Sequence, residues 1–174
     1  MQHICKTVLP LLLMLAGCQS PRARHDLPCN RETVAHIVSA GCFLKELSQA
    51  GGLSGISTND HLNMGVAYPD PCDAPSTPVT LILRATLDKT PDTIYWFSVS
   101  QVAGSANWLL EKLWTTDLKG NILAAQLPLP SLEKQNAANQ NAVNSREFKD
   151  AMQRLFEHPV APYPRPARTQ AEVR

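Results

Sequence analysis

The residues VTLILRATL, at positions 79–87, alternate between apolar and other side chains. Successive side chains of a β-strand point to opposite faces, so a period of two predicts a strand with one buried face. Ile82 is the exception, because it adds an apolar side chain to the face that carries Arg84. The chain therefore has to build a sheet whose buried face includes Val79, Leu81, Leu83, Ala85 and Leu87.

Three further segments extend this sheet. TIYWFSVSQV is rich in aromatic and β-branched residues, and the turns DKTPD and AGSA flank it. NWLLEKLWTTDLKGN has two interpretations: a helix would gather its leucines and Trp114 on one side, whereas a strand would place Trp108, Leu110 and Trp114 on one face before a hairpin turn. We favour the strand, since the segment lies between a strand and the apolar NILAAQL. The prediction is an antiparallel meander of four strands, over 79–87, 93–102, 107–116 and 121–127.

One helix is predicted before the meander in the chain and one after it. Asn30 can cap a helix over 31–50, in which apolar residues recur at helical spacing until Gly51 and Gly52 end it. Ser145 begins a second helix, over 145–158, whose apolar stripe either packs on the sheet, which we favour, or binds a partner; its members are Phe148, Met152, Leu155 and Phe156. The fold class is therefore α+β, with a domain over 29–127 followed by a C-terminal helix.

The remaining segments are interpreted as connections. Residues 53–78 are rich in Gly, Pro, Asp and Asn, which predicts a loop with one short element near 62–68. Residues 128–144 are polar and rich in Asn and Gln, which predicts a connector with little to bury. Residues 159–174 form a proline-rich tail, in which PYPRP is a solvated segment or, alternatively, a ligand for an aromatic groove.

The first residues, MQHICKTVLPLLLMLAGC, have the order of a signal peptide: Lys6, a short apolar run and small residues before Cys18. The run is much shorter than the roughly 20 apolar residues that span a bilayer as a helix. Leu15-Ala16-Gly17-Cys18 resembles the lipobox of bacterial lipoproteins. The resemblance implies that 1–17 are removed and that Cys18 carries acyl chains ahead of a tether over 18–28. Since Gln19 rather than Asp follows, it also implies the periplasmic face of the outer membrane in a diderm bacterium.

The predicted order of elements, a helix before a meander, is similar to the cystatin-like or nuclear-transport-factor-2-like group. The phrase that runs from Trp108 to Gly120 is similar to the W…W-x-x-D-x-x-G hairpin of some bacterial members. The resemblance covers 31–127, and the helix predicted after the sheet departs from that plan. Such folds host binding, assembly and occasional enzymatic roles, so the resemblance names no single function.

Export and lipidation reduce the number of cysteines that can pair to three. Cys29 and Cys42 lie about 19 Å apart along the predicted helix at 1.5 Å per residue, whereas a disulfide requires Cα atoms within about 7 Å. This leaves Cys29–Cys72 or Cys42–Cys72, and we favour Cys29–Cys72, which joins the helix start to the loop around 72. Cys42 then serves as a small core residue.

Few residues are arranged for catalysis. His36 and Cys42 are six positions apart and fall on different sides of a helix. His61, Asp70 and Asp73 are the candidates for metal ligands, but their spacing matches no dense ligand motif, and aspartate beside proline is typical of turns. The phosphate-binding loop and the G-x-S-x-G nucleophile elbow are absent from the sequence.

The sequence therefore predicts a membrane-anchored, non-enzymatic binding or assembly module without a cofactor, whose partner is another envelope protein. A formal net charge of +1 provides no field for binding nucleic acid. The alternative is a periplasmic carrier or sensor of a small apolar ligand, with a cavity lined by Tyr95, Phe97 and tryptophans. Trp96, Trp108 and Trp114 are expected in the core and in sheet pairs, with an exposed binding face as the other possibility.

Overall fold

The described residues, 30–69, 74 and 78–157 of the computed structural model, form a five-stranded antiparallel sheet and three helices. The elements in chain order are α1 (Arg31–Gln49), β1 (Leu62–Tyr68), β2 (Thr80–Leu87), β3 (Thr90–Gln101), β4 (Trp108–Asp117), β5 (Ile122–Ala124), α2 (Leu132–Asn144) and α3 (Arg146–Glu157). The strands lie in the order β1-β2-β3-β4-β5, each antiparallel to its neighbour. The α+β class is thus present, with one more strand and one more helix than expected.

Local signals fix both ends of α1. The Asn30 side chain accepts hydrogen bonds from the backbone N–H groups of Glu32 and Thr33, at 2.9 and 3.2 Å. At the other end, the Gly51 N–H donates to Ser48 O and the Gly52 N–H donates to Leu47 O, which is the Schellman arrangement. Gly51 has a φ of +65°, a value that glycine adopts without steric cost.

The buried face of the sheet agrees with the alternation in the sequence. Leu81, Leu83, Ala85 and Leu87 are each at most 2 % exposed, and Phe97 and Val99 of β3 are fully buried beside them. Phe43, Leu44 and Leu47 of α1 complete this core. The short element expected near 62–68 is β1, which pairs with β2 and makes the four-strand prediction one strand too few.

A bulge in β4 changes the face to which its second half points. Lys112 is opposite Ser98 and Leu110 is opposite Val99, so Glu111 is an extra residue in β4. Trp108 and Leu110 therefore point into the core, whereas Trp114 lies on the other face. The prediction of a strand is confirmed over 108–117, but the prediction that Trp114 shares a face with Trp108 and Leu110 is wrong.

The polar connector predicted over 128–144 is wrong, because most of it forms α2. Ser131 accepts a hydrogen bond from the Lys134 N–H and caps the helix. Two amide side chains of α2 bind the edge of β4. Gln135 Oε1 accepts a hydrogen bond from the Leu110 N–H at 2.8 Å. Asn139 accepts from the backbone N–H of Trp108 and donates to the Trp108 carbonyl oxygen, each at 2.8 Å. β5 pairs with β4 only at Thr115 and Thr116, so α2 satisfies backbone groups at the other end of β4.

The second predicted helix is α3, capped by Ser145, whose hydroxyl accepts from the Phe148 N–H at 3.1 Å. It packs mainly on α1 and α2, not on the sheet as expected. Leu155 is buried, but Phe156 remains 61 % exposed, so the stripe is only partly covered.

Several predictions lie outside the described residues. They concern the signal peptide over 1–17, Cys18 and its tether over 18–28, the proposed Cys29–Cys72 disulfide and the tail over 159–174. Among the helices that are described, none is long and apolar enough to span a bilayer.

Candidate functional site

The buried residues of α1 and α2 pack on one face of the sheet, and α3 packs on these two helices. We call the opposite side the outer face; it consists of the strand side chains that alternate with the core residues. Most are half-buried or exposed, and they include Ile82, Arg84, Thr86, Ile94, Trp96, Ser98, Lys112, Trp114 and Thr116. No described helix covers this face, so among the described residues it is open to a partner.

Two half-buried tryptophans form the centre of the outer face. Trp96 and Trp114 are directly opposite each other on β3 and β4, and their rings stack with centroids 5.9 Å apart and planes 9° apart. The Trp96 Nε1–H donates to Thr116 Oγ1 at 2.9 Å, which fixes the indole orientation. Cross-strand aromatic pairs stabilise a sheet, and here the pair also provides a rigid apolar platform.

Two cations lie on either side of the platform. Arg84 is opposite Trp96 on β2, and Lys112 Nζ lies 5.3 Å from the ring centroid of Trp114. Neither side chain forms an ion pair with a described carboxylate. The platform is therefore bordered by positive charge that no acidic side chain of the described residues neutralises.

The Arg84 side of the platform opens into a groove of about 600 Å³. Gly65 of β1 is opposite Arg84, and a Cβ at this glycine would lie 3.7 Å from Arg84 Nε. Because Gly65 has no side chain, the guanidinium is open to solvent on this side. His61, Asn63 and Thr86 contribute polar groups to the groove, and Ile94 and Leu118 contribute apolar surface.

The β4–β5 hairpin adds exposed apolar side chains beside the groove: Leu118, Ile122 and Leu123 are 62, 66 and 58 % exposed. Asp117 holds the turn, because its carboxylate accepts from the backbone N–H groups of Lys119 and Asn121, each at 2.8 Å, and from Asn121 Nδ2 at 2.7 Å. These hydrogen bonds, those from Asn121 first, lower the pKa of Asp117.

The prediction that the tryptophans lie in the core and in sheet pairs is confirmed. Trp108 is 2 % exposed in the core, where its indole N–H donates to Ser39 Oγ at 3.0 Å, and Trp96 and Trp114 form a sheet pair. Tyr95 and Phe97, which the carrier hypothesis places around a cavity, are 7 and 0 % exposed and pack in the core.

The candidate catalytic residues are dispersed. The His36 ring packs edge-on against Trp108, with ring centroids 6.0 Å apart, and lines a groove together with residues 101–106. His61 lies elsewhere and lines the grooves beside β1. Asp70 and Asp73 lie outside the described residues, which contain no cluster of three possible metal ligands. Cys42 is a buried free thiol whose pKa is raised to about 11, first by burial and then by the negative charge of Glu147.

A second groove, of about 360 Å³, lies between α1, β1 and α3. Its lysine is already paired, because Lys45 binds Glu147, and its Asp60 pairs with Lys89. The pKa of Asp60 is lowered by the hydrogen bond from Lys89 and by the Ser57 N–H. Since these charges are compensated internally, this groove attracts a charged ligand less than the outer face does.

Sequence reasoning missed Arg84 as a site residue. The sequence shows Arg84 as a lone cation on the polar side of an amphipathic strand. Its neighbours on the adjacent strands could not be named, because they depend on the register of the sheet. No protein family, curated protein or solved structure matches the chain.

Proposed function

We propose that the protein is a binding or assembly module of the bacterial envelope, without catalytic activity, that is anchored through a lipid on Cys18 and holds a second protein on the outer face. The observation that carries this proposal is the stacked Trp96–Trp114 pair between Arg84 and Lys112, on a sheet face that no described helix covers. The anchor rests on the lipobox resemblance.

The composition of this surface favours a protein partner. Tryptophan and arginine are the residues most enriched among those that dominate interface energies. Serines and threonines surround the two indoles, which matches an apolar centre with a polar rim. An indole pair fixed by a hydrogen bond and by stacking also loses little side-chain entropy when a partner binds.

The carrier alternative has less support. Tyr95, Phe97 and Trp108 are buried among core side chains, and the grooves described above are lined by other residues. A small apolar ligand would have to displace packed side chains to reach them.

Site-specific photocrosslinking in native membranes tests the binding role. A photoreactive residue at Ser98 on the outer face should give one discrete crosslinked species, which the Trp114→Ala variant loses. The matched control places the same group at Gln140, which is exposed on α2. Equal crosslinking from both positions, or none from Ser98, would contradict the proposed role of the outer face.

Mass spectrometry of the mature N-terminus tests the anchor. The expected peptide begins at Cys18 and carries the mass of its acyl chains, and the Cys18→Ser variant should lose membrane attachment. An unmodified Cys18 in a membrane fraction would contradict the proposed anchor.

A further inference from the structure

We propose that the outer face binds an extended acidic segment of the partner, with two carboxylates four positions apart and an apolar side chain midway between them. This inference rests on the proposed function, because it specifies the partner that the outer face takes. It follows from the positions of Arg84 and Lys112 around the tryptophan pair.

The register of the sheet sets the distance between the two cations. Arg84 is opposite Trp96, Trp96 is opposite Trp114, and Lys112 is two residues from Trp114 on the same face. Two strand spacings across the sheet and two residues along it place the Cα atoms of Arg84 and Lys112 about 12 Å apart. The midpoint of the line between them falls on β3, between Trp96 and Ser98.

An extended chain matches this separation. Residues four positions apart in a strand point to the same side and are about 13 Å apart. The residue midway between them points to the same side as well, and therefore lies against Trp96 at the edge of the Trp96–Trp114 platform. Carboxylates at the outer positions then reach Arg84 and Lys112 together, and charge-assisted hydrogen bonds form at both ends.

The shape and charge of the face argue against two other occupants. A second copy of this face would bring Arg84 and Lys112 against the same cations, and like charges across an interface are unfavourable. A bilayer surface is flat, whereas the Arg84 side of the platform is a groove of about 600 Å³ in which Gly65 leaves the guanidinium open.

Indole N–H signals of the full-length ¹⁵N-labelled chain provide the measurement, because Trp108 is an internal control in the core. The probe is a capped peptide containing Glu-Ser-Leu-Ser-Glu. The matched peptides have the same composition with adjacent glutamates, or lysines in place of both glutamates. We expect the first peptide to shift the Trp96 and Trp114 signals and to leave Trp108 unchanged. It should bind about ten-fold more tightly than the peptide with adjacent glutamates, since one charged contact is lost there.

Charge-removing variants locate the contact. Arg84→Gln and Lys112→Gln should each weaken binding about ten-fold, whereas Lys134→Gln, on the exposed side of α2, should not. An unchanged Trp108 signal shows that each variant is folded.

The inference is overturned if the lysine peptide or the adjacent-glutamate peptide binds as well as the first, if no peptide shifts Trp96 and Trp114, or if Arg84→Gln has no effect. It is also overturned if Arg84 and Lys112 are required instead for sedimentation with phosphatidylglycerol vesicles. Crosslinking from Ser98 to a protein under any of these outcomes would leave the proposed function standing. Loss of that crosslinking would remove both.

Discussion

At the scale of single residues, burial or local hydrogen bonds decide what several polar groups in this chain can do. Cys42, Asn139 and Asp117 all have a polar atom whose behaviour depends on its immediate surroundings. The sequence identified Cys42 as a core candidate and Asp117 as part of a hairpin. It gave no reason to separate Asn139 from the other asparagines around it, because only the contact with Trp108 distinguishes it.

The Cys42 thiol should be inert in the folded protein. Its pKa of about 11 keeps it protonated at neutral pH, and the thiolate is the reactive form. We expect slow reaction with a maleimide in the native state at pH 7 and fast reaction after unfolding. The reaction is followed by mass spectrometry with the peptide around Cys42 as the readout. Rapid native labelling at neutral pH would contradict the assigned environment.

Removal of the Asn139 side chain should destabilise the fold. Asn139→Ala leaves a buried N–H and a buried carbonyl of Trp108 without partners, which we expect to lower the free energy of unfolding by about 3 kcal/mol. Asn136→Ala, at an exposed position on the same helix, is the control and should change it little. Urea unfolding measures both, and equal effects would show that the amide contact contributes nothing specific.

Asp117 should contribute to stability in a pH-dependent way. Hydrogen bonds lower its pKa in the folded state, so the carboxylate binds protons less readily there than in the unfolded chain. Its contribution is therefore present above the ordinary aspartate pKa and is lost as the pH falls through the lowered folded value. Urea titrations across the acid range should show a smaller loss of stability in Asp117→Asn than in the wild type. A ¹³C carboxyl titration that finds an ordinary pKa would contradict the assignment.

At the scale of secondary-structure elements, an element could be predicted from the sequence where residues within it, or next to it, determine where it begins and ends. The ends of α1 were predictable because Asn30 and Gly51 act through bonds within a few residues. The face of Trp114 was not, because one extra residue at Glu111 reverses the phase and periodicity cannot locate a bulge. Nor was α2 predictable, because its contacts with β4 use the amide side chains of Gln135 and Asn139. A search for hydrophobic periodicity does not detect buried amides.

The C-terminal end of α1 gives a prediction at this scale. A Cβ on Gly52 would lie 2.8 Å from Leu47 Cδ1 and 2.9 Å from the Leu47 carbonyl oxygen, so Gly52→Ala has to displace backbone. We expect a loss of about 2 kcal/mol in the free energy of unfolding. Gly65→Ala meets only ordinary contacts and is the matched control. Thermal unfolding compares the two, and an equally stable Gly52→Ala variant would contradict this account.

At the scale of the whole molecule, the sheet order and the helix placement define one protected layer and one open face. The alternation in 79–87 was enough to predict that one face is buried. The identity of the open face was not predictable, because it required the register of three strands and the helix contacts together. Arg84 and Lys112 are far apart in sequence and become neighbours of one platform only through that register.

This organisation predicts an order of local stability. β3 pairs with neighbours on both sides along most of its length, whereas α3 buries only Leu155 among its residues. Amide hydrogen exchange should therefore be slowest in β3 and fastest in α3 and β5, because exchange follows the free energy of local opening. Faster exchange in β3 than in α3 would contradict the assigned core.

The extra residue at Glu111 has a consequence for how such a chain can vary over evolution. Deleting one residue between Leu110 and Trp114 would return β4 to a regular alternation in which Leu110 and Leu113 still point toward the helices and Trp114 still points outward, because β3 has no partner for the residue that is lost. Substitutions at Glu111 leave the register intact, whereas deleting two residues from this segment would place Trp114 two positions after Leu110, on the same face, and would exchange the interior and the exterior of the second half of β4. Among descendants that keep the outer face, segments between Leu110 and Trp114 that are one residue shorter should therefore be found, whereas segments two residues shorter should not.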